Sequence, residues 1–393
     1  INRMERTKNY RTFLDNYFYF CLDRTFSFKD KMKKSLILGY GITGKSFTNY
    51  LTKKKLNFEI YDKNFKGKKF ITFPEYKNLK KYENIYVSPG FKLNNYLSEI
   101  EISSLKFQTD LDIFFKQNNS YKIGITGTNG KSSFAYYLEQ ILNQVSSGII
   151  VGNFGNPVLD FLQHKKKYSI IELSSFQLEK LNKSLLDLSV VTNISPDHID
   201  FHGNFENYKK AKLKICNNKA KTFFLNNDIS LKDFAFEIAS SLEKIDSNTF
   251  SPLNDLPHRL EEVIPGVIND SKSTNSASLQ YAIKKLNFDG NLIICGDPSK
   301  ETKSNEILGP HQVYIFGMHR NELKDKVKGR SVKIFSNLDL VLKDIKREDA
   351  KPNILFSPGS SSGKDFKNFE DRGNFFKDKV LKYFSDWKAH FFW

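Results

Sequence analysis

The sequence predicts an α/β protein made of three domains with mainly parallel sheets. Three observations carry that expectation. Short apolar runs alternate with helical stretches, glycine-rich loops join two of those runs to the helices that follow, and the alternation restarts near Asp110 and again near Pro257. A chain of 393 residues with 39% hydrophobic content has material for two or three separate cores.

The elements follow in order. Residues 1–31 are rich in aromatics and charge and lack periodicity, so they read as an N-terminal extension. Met32 is a candidate start, with a helix packed on the first domain as the alternative. In the first domain, 32–109, strands are expected within 35–41, 58–62 and 84–90, and a helix over 43–55. The second, 110–256, opens with a buried strand at 121–127 and a helix at 132–144, followed by strands within 168–175, 188–195 and 221–227. The third, 257–393, has strands within 290–297, 312–318 and 352–359. Neither an internal repeat nor a long low-complexity linker interrupts the pattern.

The formal charge is +17, from 61 Lys and Arg against 44 Asp and Glu, with lysine spread along the whole chain. That spread marks a solvated surface and no nucleic-acid footprint, while the field still favours anionic ligands. Heavy use of Lys, Asn, Phe, Tyr and Ile points to coding composition as its source. Cys21, Cys216 and Cys295 are too scattered for a disulfide framework or a thiolate zinc site, which fits a reducing, cytoplasmic compartment. No apolar run approaches the roughly twenty residues that cross a bilayer, and charges occupy the stretch where a signal peptide needs an apolar core. A cytoplasmic monomer acting on small molecules, without membrane insertion, is the expectation.

Two loops carry chemistry. Gly127-Thr128-Asn129-Gly130-Lys131-Ser132-Ser133 joins an expected strand to an expected helix, the context of a phosphate-cradling loop. Its backbone N–H groups would close around phosphates, Lys131 would supply a point charge to the β and γ oxygens, and Ser132 could ligate Mg²⁺. The strict Walker spacing wants glycine where Ile125 stands, so this is a variant loop, and ATP is the inferred nucleotide. Gly39-Tyr40-Gly41-Ile42-Thr43-Gly44 matches G-x-G-x-x-G, with Asp62 ending the next strand. A nicotinamide dinucleotide is the naive ligand. Any diphosphate held at a helix N-terminus meets the same demand, and hydride chemistry would leave the second loop without a role.

The Gly127–Ser133 loop resembles that of the Mur ligases and folylpolyglutamate synthases. The segments 172–179, 193–200 and 208–213 are similar to that family's central domain. The resemblance implies a Rossmann-like first domain, a P-loop ATPase-like central domain and a Rossmann-like C-terminal domain. It implies that Glu172 and His198 join Ser132 in holding Mg²⁺, and that Lys212 is the family's carbamylated lysine, turned into an anion. In 257–261, 269–275 and 357–373 the chain resembles the branch of the family that adds D-glutamate to UDP-N-acetylmuramoyl-L-alanine. On that resemblance Arg259, Asp270 and Lys272 lie near the ATP phosphates, and Thr274, Ser362, Gly363 and Phe369 line the D-glutamate site. The first domain would bind the UDP-sugar through Gly41, Thr43, Gly44, Asp62, Ser88, Pro89 and Gly90, with Asn153 and Gly155 from the central domain. Lys131, Lys212, His198 and Lys272 would be the catalytic residues.

Two departures stand out. The family's hairpin and G-x-H-N-x-x-N loop have no counterpart in the short 228–257 stretch, which removes an adenine-side contact. Its GGxxK appears as Cys295-Gly296-Asp297-Pro298-Ser299-Lys300, with Lys300, the candidate for a D-glutamate carboxylate, one position late. A ligase for another amino acid, or a non-catalytic nucleotide-binding homologue, are the alternatives.

Overall fold

The computed structural model describes residues 34–216, 220–226, 228–246, 250–300, 307–310, 312–328, 331–348 and 351–385, with side chains left aside at 300, 307 and 308. Residues 1–31, Met32 and the side chain of Lys300 therefore lie outside the description. The chain divides into two compact units, one ending at Leu253 and one beginning at Asn254. The architecture is α/β with mainly parallel sheets.

The first unit holds two sheets. In one, β1 (Ser35–Leu38), β2 (Phe58–Tyr61), β3 (Asn84–Val87) and β4 (Phe107–Gln108) pair in the order β2-β1-β3-β4, all parallel. In the other, β5 (Tyr121–Thr126), β6 (Gly148–Gly152), β7 (Tyr168–Glu172), β8 (Leu188–Val191) and β9 (Lys221–Phe224) pair as β6-β7-β5-β8-β9, again all parallel. Crossover helices cover the faces, and the strands nearest the centre are buried almost throughout, as a sheet covered on both sides requires. The helix Lys131–Val145 buries Phe134, Ala135, Leu138, Ile141 and Leu142, the 3.6-residue stripe of an element packed on one side. The first crossover helix spans Ile42–Lys53; it stops short of the expected 55 because Lys55 turns into the left-handed region at φ 56°.

The second unit is built on one sheet. β10 (Glu261–Ile264), β11 (Val267–Asn269), β12 (Asn291–Ile294), β14 (Gln312–Ile315), β16 (Ser331–Ile334) and β17 (Ile354–Phe356) pair as β10-β11-β17-β12-β14-β16. Only the β10–β11 hairpin is antiparallel in this sheet, and β13 (Ile307–Leu308) pairs with β15 (Val327–Lys328) in a two-stranded ribbon. Its core is Ile293, Tyr314, Phe356 and Phe376 on one face and Leu279, Leu292, Val313 and Leu355 on the other. No helix among the described residues is long and apolar enough to cross a membrane.

Both sheets of the first unit have a point where neighbouring strands lead onward in opposite directions: between β1 and β3, and between β5 and β8. At such a point neighbouring loops leave the carboxyl ends of their strands in opposite directions and open a crevice, where ligands collect in open α/β sheets. The first crevice needs Gly44, because a Cβ there would overlap the Gly39 carbonyl and force the helix off the sheet. Gly44→Ala is expected to destabilise the first unit by about 1–3 kcal/mol. Denaturant unfolding checks this, and an unchanged midpoint would mean that the helix yields freely.

Candidate active site

The central crevice lies between the loop after β5 and the loop after β8. The two are tied together by hydrogen bonds: the Thr128 N–H donates to Asn193 O at 2.9 Å, the Asn129 N–H to Asn193 Oδ1 at 3.0 Å, and Thr192 Oγ1 to Asn129 O at 2.6 Å. Thr128 Oγ1 donates to Ser195 O at 3.0 Å and lies 3.0 Å from the Tyr208 hydroxyl. Gly127 permits this closeness, since a Cβ at that position would overlap Thr192 Oγ1. Gly130 caps the following helix from the left-handed region, and Lys131, Ser132 and Ser133 form its first turn.

Two amines converge on one oxygen. Lys131 Nζ donates to Gly127 O at 2.7 Å and to Thr128 O at 3.0 Å, and Lys212 Nζ donates to the same Gly127 O at 2.7 Å. Lys212 is 2% exposed. Burial first, and the nearby Lys131 charge second, lower its pKa to about 7; Asp197 and Glu172 act in the opposite direction.

Glu172 closes β7 beside Ile125 and is 2% exposed. Its Oε1 accepts a hydrogen bond from Asn153 Nδ2 at 2.9 Å, while Oε2 is buried with no partner. A buried carboxylate oxygen left unpaired is costly unless something positive meets it, so the donor set fits a hard cation such as Mg²⁺. Among the described residues no three His, Cys, Asp or Glu converge. A cation here would therefore complete its shell with the Ser132 hydroxyl, His198 and nucleotide oxygens, the habit of Mg²⁺ in phosphate sites. His198 sits at φ 50°, half-exposed, with Nε2 3.6 Å from Asp197 Oδ2 and its ring 4.9 Å from that of Phe176.

The crevice between β1 and β3 is the floor of a cavity of about 750 Å³. Gly41, Thr43, Asp62, Ser88, Pro89, Gly90, Asn153 and Gly155 all line it, whereas Gly44 packs beneath. The Asp62 carboxylate accepts hydrogen bonds from the Tyr40 and Asn64 N–H groups at 2.8 Å each, so it shapes the glycine turn. Ser88 Oγ donates to Gly39 O at 2.8 Å and joins the two strand ends. Asp110, also on the cavity wall, is buried, which raises its pKa to about 6.

In the second unit the loops after β11, β12 and β17 meet. The Asp297 N–H donates to Ser361 O at 2.8 Å, and Ser360 Oγ donates to Cys295 O at 2.7 Å. Asp270 accepts from Ser357 Oγ at 2.9 Å, and burial pushes its pKa up to about 7. Lys272 Nζ lies 3.6 Å from the centroid of the Phe369 ring, a cation–π contact. Ser362 and Gly363 follow the braced Ser360 and Ser361, with Gly363 against Asp297. Arg259 sits one residue after His258, whose carbonyl accepts the Lys272 N–H. Thr274 is exposed beyond Lys272.

Sequence reasoning passed over several residues that hold these loops. Asn193 and Tyr208 stand inside segments already singled out, and a polar residue just past a strand end was the available signal. Arg372 gave none. It is fully buried, with Nη2 donating to Ser271 O at 2.8 Å, Nε to Ser271 Oγ at 3.1 Å and Nη1 to Ser360 O at 3.0 Å. On its helix it looks like one surface charge among many.

The model of the Mur ligase middle domain matches residues 125–254, the stretch that carries the central crevice. A UDP-N-acetylmuramoylalanine--D-glutamate ligase of Buchnera aphidicola subsp. Schizaphis graminum is 30% identical, over 88% of this chain and 97% of its own length. The chain belongs to the Mur ligase family. The fold agrees with that of the MurF ligase from Thermotoga maritima solved with ADP, at a TM-score of 0.51 and 14% identity, covering 89% of this chain and 96% of that one. Within the family it is most like the UDP-N-acetylmuramoylalanine--D-glutamate ligases, of which one from Francisella tularensis subsp. mediasiatica is 28% identical over 91% of this chain and 98% of its own.

Proposed function

We propose that the chain joins D-glutamate to UDP-N-acetylmuramoyl-L-alanine at the expense of ATP, as a cytoplasmic monomer serving peptidoglycan synthesis. The observation that carries this reading is the crevice between β5 and β8. There a braced glycine loop, two lysines on one carbonyl and a buried carboxylate with a free oxygen stand together. The same reading assigns 32–109 to the UDP-sugar, 110–256 to ATP and 257–393 to D-glutamate, with the site residues named for each above.

A carboxylate and an amine form a salt in water at neutral pH, so the carboxylate needs a leaving group. The L-alanyl carboxylate attacks the γ-phosphorus of ATP; the bond to the β-γ bridging oxygen breaks, leaving ADP and an acyl phosphate. The D-glutamate amine then attacks the acyl carbon, phosphate departs, and the amine loses a proton. Protein groups contribute positioning and charge. The backbone N–H groups of the loop hold the phosphates, and Lys131 offsets the charge gathered as two anions approach. Bound at Glu172, Ser132 and His198, Mg²⁺ would neutralise the phosphate oxygens. Arg259, Asp270 and Lys272 are assigned to the nucleotide, and Thr274, Lys300, Ser362, Gly363 and Phe369 to the amino acid.

The test is phosphate release from the purified chain with UDP-N-acetylmuramoyl-L-alanine, ATP and Mg²⁺, with each candidate amino acid in turn. Release with D-glutamate alone is expected. Release with a different amino acid would reassign the substrate, and none with any would make the chain a nucleotide-binding homologue.

Lys212 is proposed to carry a carbamate. Carbon dioxide reacts with the neutral amine, and burial brings Lys212 to a pKa of about 7. Below that value the ammonium form dominates and cannot react; as pH rises through it the reactive amine accumulates. Labelling with ¹³C-bicarbonate is expected to give a carbamate resonance that grows from pH 6 to pH 8, each about one unit from that pKa, and that is absent in Lys212→Ala. A resonance that persists in the variant would remove the assignment.

A further inference from the structure

A cavity larger than the one beneath the glycine turn also lies in the first unit. This space of about 960 Å³ opens beside the smaller one, between the β3–β4 connection and the residues around Phe201, and the two cavities share Phe91, Lys92 and Asn95. Its size suits a small molecule. The walls are apolar at Phe107, Phe115 and Leu185, yet the lining also carries five lysines against two carboxylates.

Of those carboxylates Asp112 is engaged elsewhere, and Glu179 is shared between His202 and Lys180. Asp112 Oδ2 accepts from the Thr109 N–H, from Thr109 Oγ1 and from Asn182 Nδ2, within 2.9 Å in each case, and so caps a helix. Glu179 faces His202, with Oε1 3.9 Å from Nδ1. Lys92 and Lys180 meanwhile point at one ring: their Nζ atoms lie 4.7 Å and 5.3 Å from the centroid of Phe201. Each donates to a neutral carbonyl, Lys92 to Asp200 O at 3.4 Å and Lys180 to Pro89 O at 2.5 Å. Among the described residues neither forms an ion pair with a carboxylate. Lys180 is partly withdrawn from water, and that burial lowers its pKa to about 8. A desolvated cation is unfavourable unless opposite charge meets it, and for Lys180 the Glu179 carboxylate offsets only part of the cost of burial. An anion beside the two lysines would offset the rest of that cost, and the apolar wall beside them would bury whatever the anion is attached to.

We propose that this cavity binds a small organic anion, its charged group between Lys92 and Lys180 and its apolar body against Phe107, Phe115 and Leu185. The site adjoins the cavity beneath the glycine turn, with which it shares Lys92, but the proposal does not depend on the ligase reaction. The probe is 8-anilinonaphthalene-1-sulfonate, followed by fluorescence on the intact chain, with N-phenyl-1-naphthylamine as the same ring system lacking the sulfonate. The sulfonated probe is expected to bind at one site, at least about tenfold tighter than its neutral counterpart, and to weaken about tenfold in Lys180→Gln. Leu185→Asp, at a position 41% exposed and so tolerant of charge, is expected to weaken it similarly. Thermal unfolding of both variants should match the parent. Saturating UDP should leave the probe bound. Equal affinity for the two probes, unchanged binding in Lys180→Gln and Leu185→Asp, or displacement by UDP would each overturn the proposal.

Discussion

Replacing Lys131 by alanine is expected to cut D-glutamate-dependent phosphate release by about a hundredfold to a thousandfold, the range seen when one charge-stabilising group is removed from a dry site. The ammonium is not needed for the loop to form. The loop is held by Thr192 and Asn193, by the Thr128–Ser195 and Thr128–Tyr208 contacts, and by a helix packed through five apolar positions. Lys131 donates to two carbonyls of the loop, Gly127 O and Thr128 O, and those carbonyls remain open to solvent or to Lys212 when it is truncated. The variant should therefore unfold within about 1 kcal/mol of the parent while losing turnover. Both measurements matter, because a protein that lost activity by unfolding would say nothing about phosphate. Substantial residual release from a folded variant would remove the loop from the reaction.

The second large effect is expected from Glu172→Gln. The carboxylate is buried, one oxygen bonded to Asn153 and the other unpaired. Exchanging it for an amide removes a buried charge without changing its volume, so the metal-free protein should be as stable as the parent or slightly more so. Divalent-cation binding should fall by about a hundredfold. Electron paramagnetic resonance titration with Mn²⁺ reads that loss directly, and the Mg²⁺ concentration for half-maximal phosphate release should rise in step. A variant that binds Mn²⁺ normally would show that Glu172 serves the fold, through Asn153, and not the cation.

How much of this was legible in the sequence depends on the range of the interaction. The glycine loops could be read because the requirement is local: a strand, a turn without side chains, and a helix start within a dozen residues. Alternation gave the class of the sheets but not their order, which arises from contacts between distant segments. β6 was passed over because its apolar core is three residues long between glycines. The β10–β11 hairpin was missed because its turn, Pro265-Gly266, joins strands of only four and three residues. Lys212 illustrates the limit for single residues. In Tyr208-Lys209-Lys210-Ala211-Lys212 nothing local separates it from its exposed neighbours; the turn of the helix buries one lysine and leaves the other two in water. Only the resemblance to a family picked it out. Arg372 is the same case: it lies within the resembling segment 357–373, yet nothing local gives it a role apart from the charges around it.

The strand order of the second sheet has a consequence for chain length. β9 is an outer strand, and the short segment that follows it leaves from the rim, not from the gap between β5 and β8. Material can be gained or lost at such a border without disturbing the pairing of the interior strands. This explains how a chain can be trimmed between Asp228 and Pro257 and still carry every hydrogen bond that joins the turn after β5 to the turn after β8. Variation in length among related chains should accumulate at that margin, while the two inner turns keep a constant residue count.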